Sequence, residues 1–364
     1  MNNLVVLSGS AHPNLTKEIC EKLGITVGKV TLSKFSNQET NVEIHQSIRE
    51  NDVYIVQSGC GRVNDNLIEL IIMIGACRTA SARRVVCVCP FFPYSRNLEP
   101  EDLSFDEPKS IYNNNKETET TIKTKANTTV TDLSKLPVPP SSNQNKYKHW
   151  TAKSGTLIAN MITAAGADQI ITLDLHDPQF QGFFDIPVDN LTSQPLIAKY
   201  IKDNIPDYKE GIIVSPDAGG AKRATALSEI LNTNFGLIHK DSRNKENLQL
   251  VGNVKDRTCI LLDDIIDTAN TVTKAAKLLH ENGAKRIYVV APHAILSGNA
   301  LNLLNESFID EVIVGNTIPQ EEHVEKCPKI KVIDFSSMFA EVIRRIHNGE
   351  SVSFLYGDSH NWEY

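Results

Sequence analysis

The sequence has no surplus of positive charge, no disulfide framework and no apolar run of membrane-spanning length. Its 364 residues carry 37 Lys+Arg against 44 Asp+Glu, a net charge of -7 at pH 7. A nucleic-acid partner calls for a basic face, which this balance does not supply. An anionic substrate would then have to meet a local site or a metal. The seven cysteines are scattered, and only Cys87 and Cys89 lie close together. An odd count without framework spacing points to reduced thiols and a cytoplasmic location. Cys87 and Cys89 sit inside the apolar stretch RRVVCVCPFFPY, which predicts buried strand residues rather than a metal or redox pair. No stretch reaches the roughly 20 apolar residues of a membrane helix. The start, MNNLVVLSGSAHPNL, lacks a basic region and a long apolar core, so no secretory signal is predicted. What remains is ordinary: 41% hydrophobic and 22% charged residues, enough for one large domain or two with real cores.

Short apolar runs recur, each followed by small or polar residues and then a helical pattern. NLVVLSGS, DVYIVQSG, RVVCVCPFFPY and QIITLDLHD form a first series; GIIVSPDAGG, FGLIHKD, TCILLDDIID and RIYVVAPHAILS form a second. Runs rich in Val and Ile, spaced by helical segments, predict parallel strands in α/β units. Two such series predict two doubly wound domains, in which ligands sit at the carboxyl ends of strands. Residues 97–148 break the pattern: they are rich in Asn, Thr, Ser, Lys and Glu, with little apolar periodicity. They read as an insertion, either a tolerated surface loop or a regulatory segment with many Ser and Thr open to phosphorylation.

The stretch ILLDDIIDTANTVTKAA, residues 260–276, carries the most chemistry. A buried strand ends in Asp263 and Asp264, and Asp267 follows before Thr268, Ala269, Asn270 and Thr271 open a helix. Backbone amides at a helix start bind phosphate, and threonine hydroxyls can add donors. Adjacent carboxylates can accept hydrogen bonds from vicinal hydroxyls. Together they suit a sugar phosphate better than an acidic helix start favoured only by the macrodipole.

LLDDIIDTANT resembles the ribose 5-phosphate loop of type I phosphoribosyltransferases, most closely that of the ribose-phosphate diphosphokinases (PRPP synthetases). KFSNQET, DVYIVQSG, DLHDPQFQGFFDIPVDNL, VSPDAGGAKRA and IRRIHNGESVSFLY resemble that family's segments in its order, so the likeness covers nearly the whole chain outside the insertion. The resemblance implies two phosphoribosyltransferase-type domains related by internal duplication. They would span 1–193 and 194–340, with 341–364 packing back on the first. It implies transfer of the β,γ-diphosphoryl group of ATP to the C1 hydroxyl of ribose 5-phosphate, for nucleotide biosynthesis. Mg2+ and cationic side chains would stabilise the transferred charge.

By the same resemblance, Asp217, Asp263, Asp264, Asp267, Thr268, Ala269, Asn270 and Thr271 bind ribose 5-phosphate. His176 and Asp217 would serve the metal. Phe35, Asn37 and Glu39 would form an adenine-binding loop lent by a neighbouring subunit, and Arg96 would also contact ATP. Lys240 would be the catalytic cation, with Arg243 beside it. Ser47, Arg49, Ser81, Ala82 and Arg83 match segments that form an allosteric phosphate or ADP site between subunits. The implied state is a homo-oligomer or a hetero-oligomer of homologous subunits.

The chain departs from the family pattern at three places. Arg96 is followed by Asn97, Leu98, Glu99 and Pro100 rather than by Gln-Asp and basic residues. The Lys-x-Arg of the flexible loop becomes Lys240-Asp241-Ser242-Arg243. The glycine of the phosphate loop is Asn270, a residue that tolerates positive φ. These changes set a second possibility beside the enzyme, a regulatory subunit that works with a competent homologue. A phosphoribosyltransferase that consumes PRPP would not need KFSNQE and DLHD.

Overall fold

A computed structural model describes residues 3–95, 154–240 and 248–356. The insertion at 97–148 lies outside them. The first half runs β1 (Leu4–Ser8), α1 (Pro13–Leu23), β2 (Val30–Lys34), β3 (Thr40–Ile44), β4 (Asp52–Val56), α2 (Val63–Thr79), β5 (Arg84–Cys89), α3 (Ser154–Ala165), β6 (Gln169–Leu173) and β7 (Val188–Leu191). The second runs α4 (Gln194–Asn204), β8 (Ile212–Ser215), α5 (Ala221–Leu231), β9 (Asn234–Lys240), β10 (Leu248–Val251), β11 (Thr258–Leu262), β12 (Ile265–Ile266), α6 (Asn270–Glu281), β13 (Arg286–Ala291), β14 (His293–Ala294), α7 (Ala300–Glu306), β15 (Glu311–Gly315), α8 (Glu321–Lys326), β16 (Ile330–Ile333) and α9 (Ser336–Asn348).

Two main sheets result. The first is parallel, in the order β1-β4-β5-β6-β7; the second is ordered β10-β9-β8-β11-β13-β15-β16, parallel except for β10. The halves repeat one plan: a strand, a helix, an antiparallel hairpin, then further parallel strands. In the first half the hairpin β2–β3 forms its own two-stranded sheet; in the second, β9 joins the main sheet beside β8.

The central strands β4, β5, β8, β11, β13 and β15 are largely apolar because both faces of the sheets are covered there. Along β4, Tyr54 and Val56 face one core while Val53 and Ile55 face another. Ile260 and Leu262 of β11 join the core of Tyr54, and Cys259 and Leu261 join a third. The shared core runs between the two sheets through α1, α4, α5 and α9. The outer cores are closed by α2 and α3 on the first sheet and by α6 and α7 on the second. Cys87 and Cys89 are buried on the α2 side, where burial pushes the Cys89 thiol up to about 12 and Cys87 well above its ordinary value. All seven cysteines are unpaired and buried. Among the described residues no helix is long and apolar enough to cross a membrane.

Close packing behind the second sheet makes one glycine a sharp probe. A Cβ on Gly315 would lie 2.2 Å from Cε2 of Phe335 and 2.6 Å from the carbonyl oxygen of Pro292. Phe335 is fully buried, so neither neighbour can withdraw cheaply. Gly315→Ala is expected to lower unfolding free energy by about 1–3 kcal/mol, read from urea midpoints. An unchanged midpoint would contradict this packing.

Candidate functional site

Strand order locates the site. From β8 the chain turns to β9 on one side, and the later parallel strands add through β11 on the other. Ligands bind outside the carboxyl ends of strands at such a reversal. β8 ends at Ser215 and leads into Asp217; β11 ends at Leu262 and leads into Asp263 and Asp264. β9 runs parallel to β8, with Ser215 opposite Leu237. Its last residue, Lys240, therefore stands at the same carboxyl edge.

Asp217 is held by its own turn. Its Oδ1 accepts the Gly220 amide at 3.0 Å, and Ser215 Oγ donates to its carbonyl at 2.7 Å. The turn needs glycine at its end, because a Cβ on Gly220 would sit 2.8 Å from Ser215 Oγ. Asp264 is only 6% exposed. His176 Nδ1 donates to its Oδ2 at 2.5 Å, and Arg223 Nη1 lies 3.3 Å from its Oδ1. Asp263 Oδ1 in turn accepts the Asp264 amide at 2.9 Å.

The two adjacent carboxyls titrate in opposite directions. Burial pushes Asp263 up, and the Asp264 charge adds to it, to about 7. Burial would raise Asp264 too, but the His176 hydrogen bond and the Arg223 charge outweigh it and hold that carboxyl below the usual range. Asp264 is therefore the fixed anion of the pair.

The helix end of the loop is built from backbone. Ile265 and Ile266 pair with His293 and Ala294 in a short parallel ladder. The Asp267 carbonyl accepts the Ser297 amide at 3.0 Å, and Ser297 Oγ also donates to its carboxylate. Helix α6 begins after Ala269 with no side-chain cap on its first amides, the arrangement that binds an anion. The left-handed residue is Ala269, at φ 60°, not Asn270. Asn270 is the first helical residue, so the glycine-to-asparagine change does not fall on the positive-φ position. Its amide donates to Thr268 Oγ1 at 3.0 Å. Thr268, Asn270 and Thr271 are exposed at the helix mouth.

His176 and Asp264 are 88 residues apart in sequence and come from different halves. A buried histidine braces their approach. His293 Nε2 donates to the carbonyl of Leu173, the last residue of β6, at 3.0 Å, and its backbone amide donates to the Asp264 carbonyl at 3.2 Å. Burial holds its ring below the usual histidine pKa. His293 and Arg223 were both missed by sequence reasoning. The only signals were a polar residue inside an apolar run and a cation on the first turn of a helix.

The remaining candidates stand on other elements. Phe35, Asn37 and Glu39 form the exposed tip of the β2–β3 hairpin. There the Phe35 amide donates to the Glu39 carbonyl at 2.9 Å, and Asn37 Oδ1 accepts the Glu39 amide at 3.2 Å. In the repeated plan this tip corresponds to the connection between Lys240 and Leu248. Ser47, Arg49, Ser81, Ala82 and Arg83 gather at the opposite, amino end of the first sheet. The Glu50 amide donates there to the Ser81 carbonyl at 3.0 Å, and Arg83 pairs with Asp52. Arg96 and Arg243 lie outside the described residues.

Comparison with known proteins gives one consistent result. Residues 4–102 match the family model for the N-terminal domain of ribose phosphate pyrophosphokinase, and residues 241–357 match the phosphoribosyl synthetase-associated domain. The chain is 49% identical over 364 residues to ribose-phosphate pyrophosphokinase 5 of Schizosaccharomyces pombe, covering 100% of both chains. It is also similar to the crystal structure of phosphoribosylpyrophosphate synthetase from Mycobacterium smegmatis. That match has a TM-score of 0.78 at 32% identity and covers 96% of this chain and 100% of the other.

Proposed function

The chain belongs to the ribose-phosphate pyrophosphokinase family, and we infer that it transfers the β,γ-diphosphoryl group of ATP to the C1 hydroxyl of ribose 5-phosphate, yielding PRPP and AMP (EC 2.7.6.1). The observation that carries this function is the junction at Asp264, where a histidine from one half meets the sugar-phosphate loop of the other. A diphosphoryl transfer needs its two substrates side by side.

In this mechanism the uncapped start of α6, with Thr268, Asn270 and Thr271, receives the 5-phosphate. Asp263 and Asp264 accept hydrogen bonds from the ribose hydroxyls and so orient C1. Lys240, at the carboxyl edge of the sheet, supplies positive charge to the group in transfer, with Arg243 as second cation. Phe35, Asn37 and Glu39 of a neighbouring subunit, with Arg96, hold the adenine, which makes the working unit an oligomer. The halves follow 1–193 and 194–340, with 341–364 returning to the first half. Ser47, Arg49, Ser81, Ala82 and Arg83 would form an effector site between subunits.

The donor set fits Mg2+. Among the described residues no three His, Cys, Asp or Glu side chains form a ready metal cage. Mg2+ is commonly held by one or two carboxylates together with substrate phosphates. Asp217 supplies such a carboxylate beside the switch point. His176, with Nδ1 bonded to Asp264, would stand beside it at the metal and phosphate. When bound, Mg2+ would neutralise charge developing on the diphosphoryl oxygens.

The test is AMP and PRPP formation from ATP and ribose 5-phosphate with Mg2+, for the chain alone and mixed with a homologous subunit from the same cell. Equal AMP and PRPP from the chain alone, lost on chelation of Mg2+, is the expected result. No turnover alone, but faster turnover of the homologue in the mixture, would assign a regulatory subunit instead.

A further inference from the structure

We propose that Arg223 is a positioning residue for ribose 5-phosphate, fixing the Asp264 carboxylate so that it can accept the sugar hydroxyls. The proposal rests on the diphosphokinase function inferred above. It starts from the crowding of negative charge. Asp217, Asp263 and Asp264 converge at the switch point, where a phosphorylated sugar and a nucleotide would both bind. The ion pairs described at Asp264 are made by His176 and Arg223.

The two partners take different oxygens of Asp264. His176 holds Oδ2 and Arg223 faces Oδ1. Opposed partners on the two oxygens fix both the position and the plane of the carboxylate. Each oxygen keeps further acceptor capacity, so a carboxylate held this way can still receive hydroxyl donors.

Arg223 is itself held in place. It lies on the first turn of α5, whose start is set by Asp217 through the Gly220 amide. Its carbonyl accepts Gln194 Nε2 at 3.4 Å from α4. One short helix start therefore delivers both Asp217 and the guanidinium that steadies Asp264. The side chain is 23% exposed, unlike a fully enclosed structural pair. A guanidinium has a planar, delocalised charge suited to a carboxylate, whereas lysine offers only a compact point charge.

Without Arg223 the carboxylate would keep His176 but could swing about that one bond. Recognition of the sugar should suffer more than handling of ATP. Arg223→Ala is expected to raise KM and Kd for ribose 5-phosphate on the order of tenfold, the scale of a close ion pair to a largely buried carboxylate. The KM for ATP and kcat should move by less than about threefold. Arg223→Lys should restore part of the lost affinity.

The experiment combines steady-state kinetics with calorimetric titration of ribose 5-phosphate into the full chain in the absence of ATP. Thermal unfolding of each variant is recorded alongside. A lowered melting temperature with unchanged ribose 5-phosphate affinity would make Arg223 merely structural and overturn the proposal. Equal losses in KM for both substrates would overturn it too. If Arg223→Ala does not fold, Arg223→Lys and Arg223→Gln carry the same comparison. A wild-type chain that binds no ribose 5-phosphate would instead remove the functional reading itself, and the proposal with it.

Discussion

Asp264→Ala is expected to abolish detectable ribose 5-phosphate binding and to cut turnover on the order of a thousandfold or more, the scale of losing a preorganised group at a reacting centre. Three effects combine. The sugar loses a fixed anionic acceptor. His176 loses the partner that holds Nδ1 at 2.5 Å and so aims the rest of its ring. Arg223 loses its carboxylate and faces a site short of one negative charge. Asp264→Asn separates shape from charge. An amide presents a donor on one side, which must oppose either His176 or Arg223, so it should bind the sugar little better than alanine. Titration calorimetry with ribose 5-phosphate and AMP release under saturating ATP would measure both losses. Unchanged affinity in Asp264→Ala would mean that the loop after β11 does not receive the sugar.

The strands that carry these residues were legible because they are buried on both faces. TCILL and GIIVS read as continuous apolar runs that end where the chemistry begins. The hairpin β2–β3 was not read as strands, since VTLSK and TNVEI are only half covered and alternate weakly. The loop aspartates were conspicuous for the same reason as the strands: charge directly after an apolar run has few structural uses. His176 and Lys240 drew attention only through resemblance to a family, since a lone histidine or a lysine at a strand end is usually structural or solvated. Arg223 and His293 needed coordinates. Their importance lies in what they touch across the halves, and 24 residues separate even His293 from its hydroxyl partner Thr317. The loop conformation was partly misread, because positive φ fell on Ala269, where composition gives no hint of it.

The amino end of the first sheet holds a charge cluster whose contribution to stability can be probed away from the site. Asp52, the first residue of β4, is 2% exposed. Arg83 grips it with two hydrogen bonds, Nε to Oδ1 at 2.9 Å and Nη2 to Oδ2 at 2.7 Å. Arg84 adds an ion pair at 3.5 Å, and His347 of α9 lies 2.9 Å from Oδ2. Arg84 also donates to the Ile346 carbonyl at 3.1 Å, so the carboxylate sits at the seam where the last helix is pinned to the first sheet. Asp52→Ala would leave cationic partners at this seam without their anion; the Arg83 side chain is half exposed, so water screens part of the loss, and the change is expected to cost about 1–3 kcal/mol of unfolding free energy. The pH dependence gives the sign. Burial alone would raise the Asp52 carboxyl, but hydrogen bonds from Arg83 and His347 and the charges of Arg84 and Arg83 hold it below its ordinary value. A carboxyl depressed in the folded state stabilises it above the unfolded pKa of about 3.9, and that contribution disappears as pH falls through the folded value. Urea midpoints of wild type and variant should therefore differ clearly at about pH 5 and above and converge below about pH 4. A gap that failed to close below about pH 4 would contradict a depressed Asp52 carboxyl in the folded protein.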